Sequence, residues 1–141
     1  MPTVENVLFS LGTNIGDRQE NIKKALELLD SRLGSHWTAL SPIIETEAVG
    51  FAGPAFLNCV VRYATCLSPV TLLSICKDIE KEMGRCDDVE WDAEGRRVYH
   101  DRIIDIDILC YGTKTIHTRS LTIPHPQIET RPFIKELIAC I

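Results

Sequence analysis

The sequence predicts an α+β sandwich, an antiparallel sheet with helices on one face plus a C-terminal helix, in the order strand, helix, strand, strand, helix, strand, helix. Three observations predict it. Alternating apolar stretches give way to 3.6-residue periodicity and then return. Cap and turn residues mark each change. The 141 residues, 45% apolar and 25% charged, suit a single domain over 1–141 that buries a core of its own.

Val4–Leu11 reads as the first strand, with Val7, Phe9 and Leu11 alternating with polar or small neighbours. Gly12-Thr13-Asn14-Ile15-Gly16-Asp17 is turn chemistry, and Asp17 with Glu20 forms a capping pair for a helix. That helix carries Ile22, Ala25, Leu26, Leu29 and Leu33 at helical spacing and stops at Gly34. Ser35–Glu47 has strand character interrupted by Pro42, as at a sheet edge or bulge. Beyond the loop Gly50-Phe51-Ala52-Gly53-Pro54, Phe56–Thr65 is the next strand, with Leu57, Cys59, Val61 and Tyr63 on one face. Ser68-Pro69 opens the second helix; Leu72, Leu73, Ile75, Cys76, Ile79 and Met83 form its stripe and Gly84 closes it.

Arg85–Asp101, the most polar stretch, reads as a mobile loop. Ile103–Tyr111 is the clearest strand, ended by Gly112, and Thr115–Leu121 adds a short extension. Pro124-His125-Pro126 is rigid and extended, and Thr130 caps a last helix with Phe133, Ile134, Leu137, Ile138 and Ile141. The βαββαβ order is that of a ferredoxin-like sandwich.

A net charge of −5 argues against generic binding to nucleic acid or an anionic membrane. No apolar run is long enough to span a bilayer, and the N-terminus lacks the basic and apolar regions of a signal peptide. The six cysteines form no C-x-x-C pair, which points to reduced structural thiols in the cytoplasm.

Chemistry concentrates in Asp101-Arg102-Ile103-Ile104-Asp105-Ile106-Asp107-Ile108-Leu109. On a strand, Ile104, Ile106, Ile108 and Cys110 share one apolar face, and Asp105 and Asp107 share the other. Two strand rises hold the two Cα atoms about 6–7 Å apart. Carboxylates so spaced suit metals about 3.5–4 Å apart. Magnesium prefers one or two carboxylates completed by phosphates and water. Solvent-facing acids on an edge strand are the plain alternative. Asp is a poor strand former, however, and here it occurs twice among strong ones beside Arg102, a cation suited to phosphate.

Arg102-Ile103-Ile104-Asp105-Ile106-Asp107-Ile108-Leu109 resembles the R-x-x-D-[LIV]-D-[LIV]-[LIV] signature of the 6-hydroxymethyl-7,8-dihydropterin pyrophosphokinase family. Phe9-Ser10-Leu11-Gly12-Thr13-Asn14 resembles the family's opening strand, and Phe56-Leu57-Asn58 its pterin motif. Leu121-Thr122-Ile123-Pro124-His125-Pro126 with Arg131-Pro132-Phe133 is similar to its closing motif. Four ordered motifs across nearly the whole chain make a specific match.

The resemblance implies transfer of diphosphate from ATP to a pterin hydroxymethyl group, in folate biosynthesis, by a cytoplasmic monomer. It implies two Mg2+ ions on Asp105 and Asp107, with Arg102 on the ATP phosphates and Arg85 assisting the transfer. Leu121, Thr122, His125 and Arg131 fall to the nucleotide, and Tyr99 stands where the family often has a Trp. Gly12, Thr46, Val49, Phe56, Asn58 and Phe133 fall to the pterin: Asn58 through its amide, the two phenylalanines by stacking, Gly12 by close backbone approach. Further departures from the family are Thr46-Glu47-Ala48 in place of Thr-Pro-Pro and a longer segment between Arg85 and Arg102. Two rivals also fit parts of the pattern: a non-catalytic ferredoxin-like nucleotide-sensing module and a two-metal phosphohydrolase.

Overall fold

The computed structural model describes residues 3–47, 54–84, 90–91, 93–95, 97–98 and 103–141. Strand β1 (Glu5–Thr13) leads into α1 (Arg18–Leu33), then β2 (Ala39–Leu40), β3 (Ile44–Thr46), β4 (Phe56–Thr65) and α2 (Pro69–Glu82). There follow β5 (Glu90–Trp91), β6 (Arg97–Val98), β7 (Asp105–Tyr111), β8 (Ile116–His117), β9 (Thr122–Ile123), α3 (Gln127–Thr130) and α4 (Pro132–Ala139). The main sheet runs β2-β4-β1-β7, with β3 also on β4, and every pairing in it is antiparallel. This is the ferredoxin-like arrangement expected from the sequence, with β1 central between β4 and β7.

Helix α1 starts and stops on its predicted residues, and α2 starts on its predicted cap but ends at Met83, one residue before the expected Gly84. Asp17 accepts from the Glu20 backbone N–H at 3.1 Å, and Gly34 ends α1 in the left-handed region at φ 73°. Ser68 caps α2 by accepting from Thr71 N–H, with Pro69 at the first helical position. Their apolar stripes (Ile22, Ala25 and Leu29; Leu72, Cys76 and Ile79) meet Val7, Phe9, Leu11, Cys59, Val61 and Tyr63 in the main core. Fully buried, the Tyr63 hydroxyl donates to Asp30 Oδ1 at 2.6 Å, while Cys59 is so desolvated that its thiol is pushed up to about 12. Cys59, Cys66, Cys76, Cys110 and Cys140 are all free thiols.

The interruption at Pro42 falls between β2 and β3, both paired with β4. A proline cannot donate to a ladder, and Ser41 bridges the gap. Its N–H donates to Val60 O at 2.9 Å and its Oγ accepts from Val60 N–H at 2.8 Å.

Three expectations are corrected. Cys110 does not continue the face of Ile106 and Ile108. A register shift between Leu8 and Phe9 leaves Leu109 as an extra residue on β7, so Tyr111 rejoins the main core while Leu109 and Cys110 turn to the other face. There, Val60, Leu109, Ile134 and Leu137 form a second, smaller core under α4. Within the stretch expected to be a loop, β5 and β6 pair as a short hairpin, with Gly95 in the turn at φ 80°. Thr130 does not cap α4: it closes α3, and Arg131 precedes α4 in extended conformation with no side-chain cap.

The hydroxyl of Tyr63 sets a test of this frame. Tyr63→Phe should lower unfolding free energy by about 1 kcal/mol, since it leaves Asp30 one donor short. Urea denaturation with an unchanged m-value would show this; no change in midpoint would mean the bond contributes nothing.

Candidate active site

Strand alternation sends Ile104, Ile106 and Ile108 into the core and leaves Asp105 and Asp107 half-buried on the opposite face. The backbone between the two acids is held from α2. Glu80, completely buried, accepts from the Ile106 N–H at 2.9 Å, and Lys77 Nζ stands 3.6 Å from its other oxygen. Charge-assisted bonding of this kind lets a carboxylate sit in an apolar core.

The register of β1 then builds a row across three strands. Gly12 faces Asp105 on β7 and Asn58 on β4, while Ser10 faces Asp107. On the far side β3 places Ile44 opposite Asn58 and Thr46 opposite Phe56. Asn58, nearly buried, donates from Nδ2 to Thr46 Oγ1 at 2.6 Å. A Cβ on Gly12 would lie 3.1 Å from Asn58 Oδ1 and 3.5 Å from the Phe56 ring. The glycine therefore leaves room for these two side chains. The turn after β1 is braced from below. Asn14 and Arg18 donate to Pro54 O and Ala55 O at 3.1 and 2.9 Å, and Asn21 donates to Thr13 Oγ1 and Ile15 O.

Beside the acids opens a cavity of about 310 Å3. Leu73 and Lys77 of α2, Asp107 and Ile108 of β7, and Arg119, Leu121, Thr122 and His125 line it. The structure thus brings Leu121, Thr122 and His125 together with Asp107 around one cavity. The β8–β9 turn carries Arg119, closed by Leu121 N–H donating to Thr118 Oγ1 at 3.1 Å. His125 Nδ1 accepts from Gln127 N–H at 3.1 Å, which places the neutral ring's proton on Nε2, 3.8 Å from Asp107 Oδ1. Burial pushes the His125 imidazole below its ordinary range; Asp105 opposes this shift and Arg131 reinforces it. The Nε2–H of the neutral ring thus faces Asp107. Phe133 packs half-buried against the smaller core, and Phe56 is likewise half-buried. Val49, Arg85, Tyr99 and Arg102 lie outside the described residues.

Sequence reasoning missed Glu80, Lys77, Leu73 and Arg119. For Glu80 a signal existed: it falls four residues after Cys76, on the apolar stripe of α2, where an acid requires a buried partner. A larger cavity of about 490 Å3, between α1 and the 36–43 segment, contains none of the predicted site residues.

Among the described residues no group of three or more His, Cys, Asp or Glu could hold a metal. The acid pair fits a hard cation that takes its remaining oxygens from substrate and water, as Mg2+ does. A carboxylate pair with one member, Asp107, lining such a cavity, on an α+β sandwich, has the make-up of a phosphoryl-transfer site.

Comparisons with known proteins agree with that class. Residues 8–141 match the family described as 7,8-dihydro-6-hydroxymethylpterin-pyrophosphokinase, and the chain belongs to that family. A 2-amino-4-hydroxy-6-hydroxymethyldihydropteridine pyrophosphokinase of Porphyromonas gingivalis is 42% identical over 92% of this chain and 85% of its own length. The Bacillus subtilis protein of the same name is 37% identical over 93% and 75%. A folate synthesis bifunctional protein of Arabidopsis thaliana is 43% identical over 94% of this chain, which spans only 26% of that relative. A solved HPPK-DHPS structure in complex with substrates matches 99% of this chain and 40% of its own with a TM-score of 0.69 at 16% identity, a likeness of fold.

The buried clamp on β7 is open to test. Glu80→Leu should cost about 1–3 kcal/mol by orphaning the Ile106 N–H, whereas Glu80→Gln, which keeps an acceptor, should cost less. Equal losses in thermal or urea unfolding would argue against the hydrogen bond as the cause.

Proposed function

We propose that this chain transfers the β,γ-diphosphate of ATP to the hydroxymethyl group of 6-hydroxymethyl-7,8-dihydropterin, releasing AMP and the pterin diphosphate in folate biosynthesis. Family membership supports the reaction. The observation that carries the site assignment is the cross-strand row joining Asp105, Gly12 and Asn58, with Thr46 and Phe56 beyond Asn58, while Asp107, two residues along β7 from Asp105, lines the 310 Å3 cavity. It supports reading the row as the pterin side and the adjoining cavity as the nucleotide side.

In this reading Asp105 and Asp107 hold two Mg2+ ions, which when bound neutralise charge on the phosphates. Leu121, Thr122, His125 and Arg131 hold ATP, with His125 donating from Nε2 towards the phosphate end. Asn58 presents Oδ1 to the pterin edge, its orientation fixed by the bond to Thr46. Phe56 and Phe133 supply aromatic surface to the flat ring. Tyr99, Arg102 and Arg85 contribute to ATP binding and transfer, and Val49 to the pterin, by family resemblance. With both substrates held in line, positioning and electrostatics supply the catalysis, and no general base is required. Family precedent extends the reading to a cytoplasmic monomer.

The direct test is an assay with ATP, Mg2+ and the pterin that separates AMP from ADP. AMP should form only with pterin, and Asp105→Ala or Asp107→Ala should lower the rate at least about 1,000-fold. ADP or phosphate formed without pterin would overturn the assignment.

Gly12→Ala probes the pterin half separately. Its added methyl must displace Asn58 or Phe56, so KM for pterin should rise at least about tenfold while ATP affinity holds within about twofold. A proportionate loss of both affinities would place Gly12 in the general fold instead.

A further inference from the structure

We propose that Lys77 contacts the triphosphate of the bound nucleotide; the inference rests on the 310 Å3 cavity being the ATP site. Lys77 lies on α2, outside the motifs that carry the family resemblance, yet its side chain lines the same cavity as Asp107, Thr122 and His125. Its side chain is about half exposed, and the distance of 3.6 Å from Nζ to Glu80 Oε1 is beyond hydrogen-bonding range. A lysine carries three N–H donors, so this contact leaves capacity for a ligand.

Its position selects which part of the nucleotide it meets. Glu80 holds the peptide nitrogen of Ile106, the residue between Asp105 and Asp107. Lys77 is therefore held near the backbone between the two acids, of which Asp107 lines the same cavity, and so within reach of a phosphate bridged to them. The apolar part of the wall, Leu73, Ile108 and Leu121, is left for a base. A flexible ammonium in a partly apolar wall gains from meeting a polyanion. Arg119 on the β8–β9 turn provides a second cation from another side.

Equilibrium binding of a non-hydrolysable ATP analogue with Mg2+ tests this, at low and high KCl, using wild type, Lys77→Met, Lys77→Arg and Lys81→Met. Lys81 carries the same charge one turn further along α2, away from the cavity lining. Lys77→Met should weaken binding about tenfold at low salt and flatten its salt dependence. Lys77→Arg should recover most of the loss, Lys81→Met should bind as wild type does, and AMP affinity should fall less than about twofold.

Unchanged analogue affinity in Lys77→Met would overturn the proposal. So would weaker binding with an unaltered salt slope, because that would mean Lys77 acts only by steadying Glu80. An equal loss for AMP would also overturn it, by moving the contact to the base or ribose. Failure of wild type to bind the analogue would instead remove the ATP reading itself, and this inference with it.

Discussion

The register of β1 against its two neighbours is the constraint on which the rest depends. Gly12 stands opposite Asn58 on one side and Asp105 on the other. Slipping either pairing by one residue would turn its whole partner strand over, because side chains alternate faces. Phe9 and Leu11, fully buried on the same strand, oppose any slip. The apolar half of β1 therefore holds the register, and the small residues between, Ser10 and Gly12, leave space for chemistry supplied by β4 and β7.

The sheet's second face is itself divided. Towards one end, Val60 and Leu109 lie dry under α4; towards the other, Asn58, Asp105 and Asp107 meet the cavity and the cross-strand row. The extra residue at Leu109 makes the division possible. Before it, β7 keeps strict alternation with its acids outward. After it, apolar side chains go to both faces, which serves two cores at once. Helix α2 contributes from the opposite layer, since Glu80 reaches through the core to the strand edge.

Much of this was legible in the sequence. Asp17, Gly34, Ser68 and Pro69 mark helix ends by local chemistry that needs no tertiary context, and each stands where that chemistry predicts. The alternation of Asp105 and Asp107 against isoleucines was equally local. What escaped depended on long-range pairing. Cys110 was misplaced because a bulge arises from two strands together, and nothing in β7 alone announces it. Thr130 looked like a cap, but the short helix α3 had already claimed it. Lys77 and Arg119 are ordinary surface cations until α2 and the β8–β9 turn are folded against the same cavity.

The way β7 is finished has a consequence for colloidal behaviour. As the outer strand of the main sheet it would offer a bare ladder to any passing chain. Glu80 takes the Ile106 N–H, and the backbone N–H of His125 donates to Leu109 O at 2.9 Å. On the opposite border, Pro42 breaks the run between β2 and β3 and cannot donate. The groups that position the chemistry on one side thus also blunt a template for cross-β growth, leaving side-chain surfaces as the favoured route for self-association.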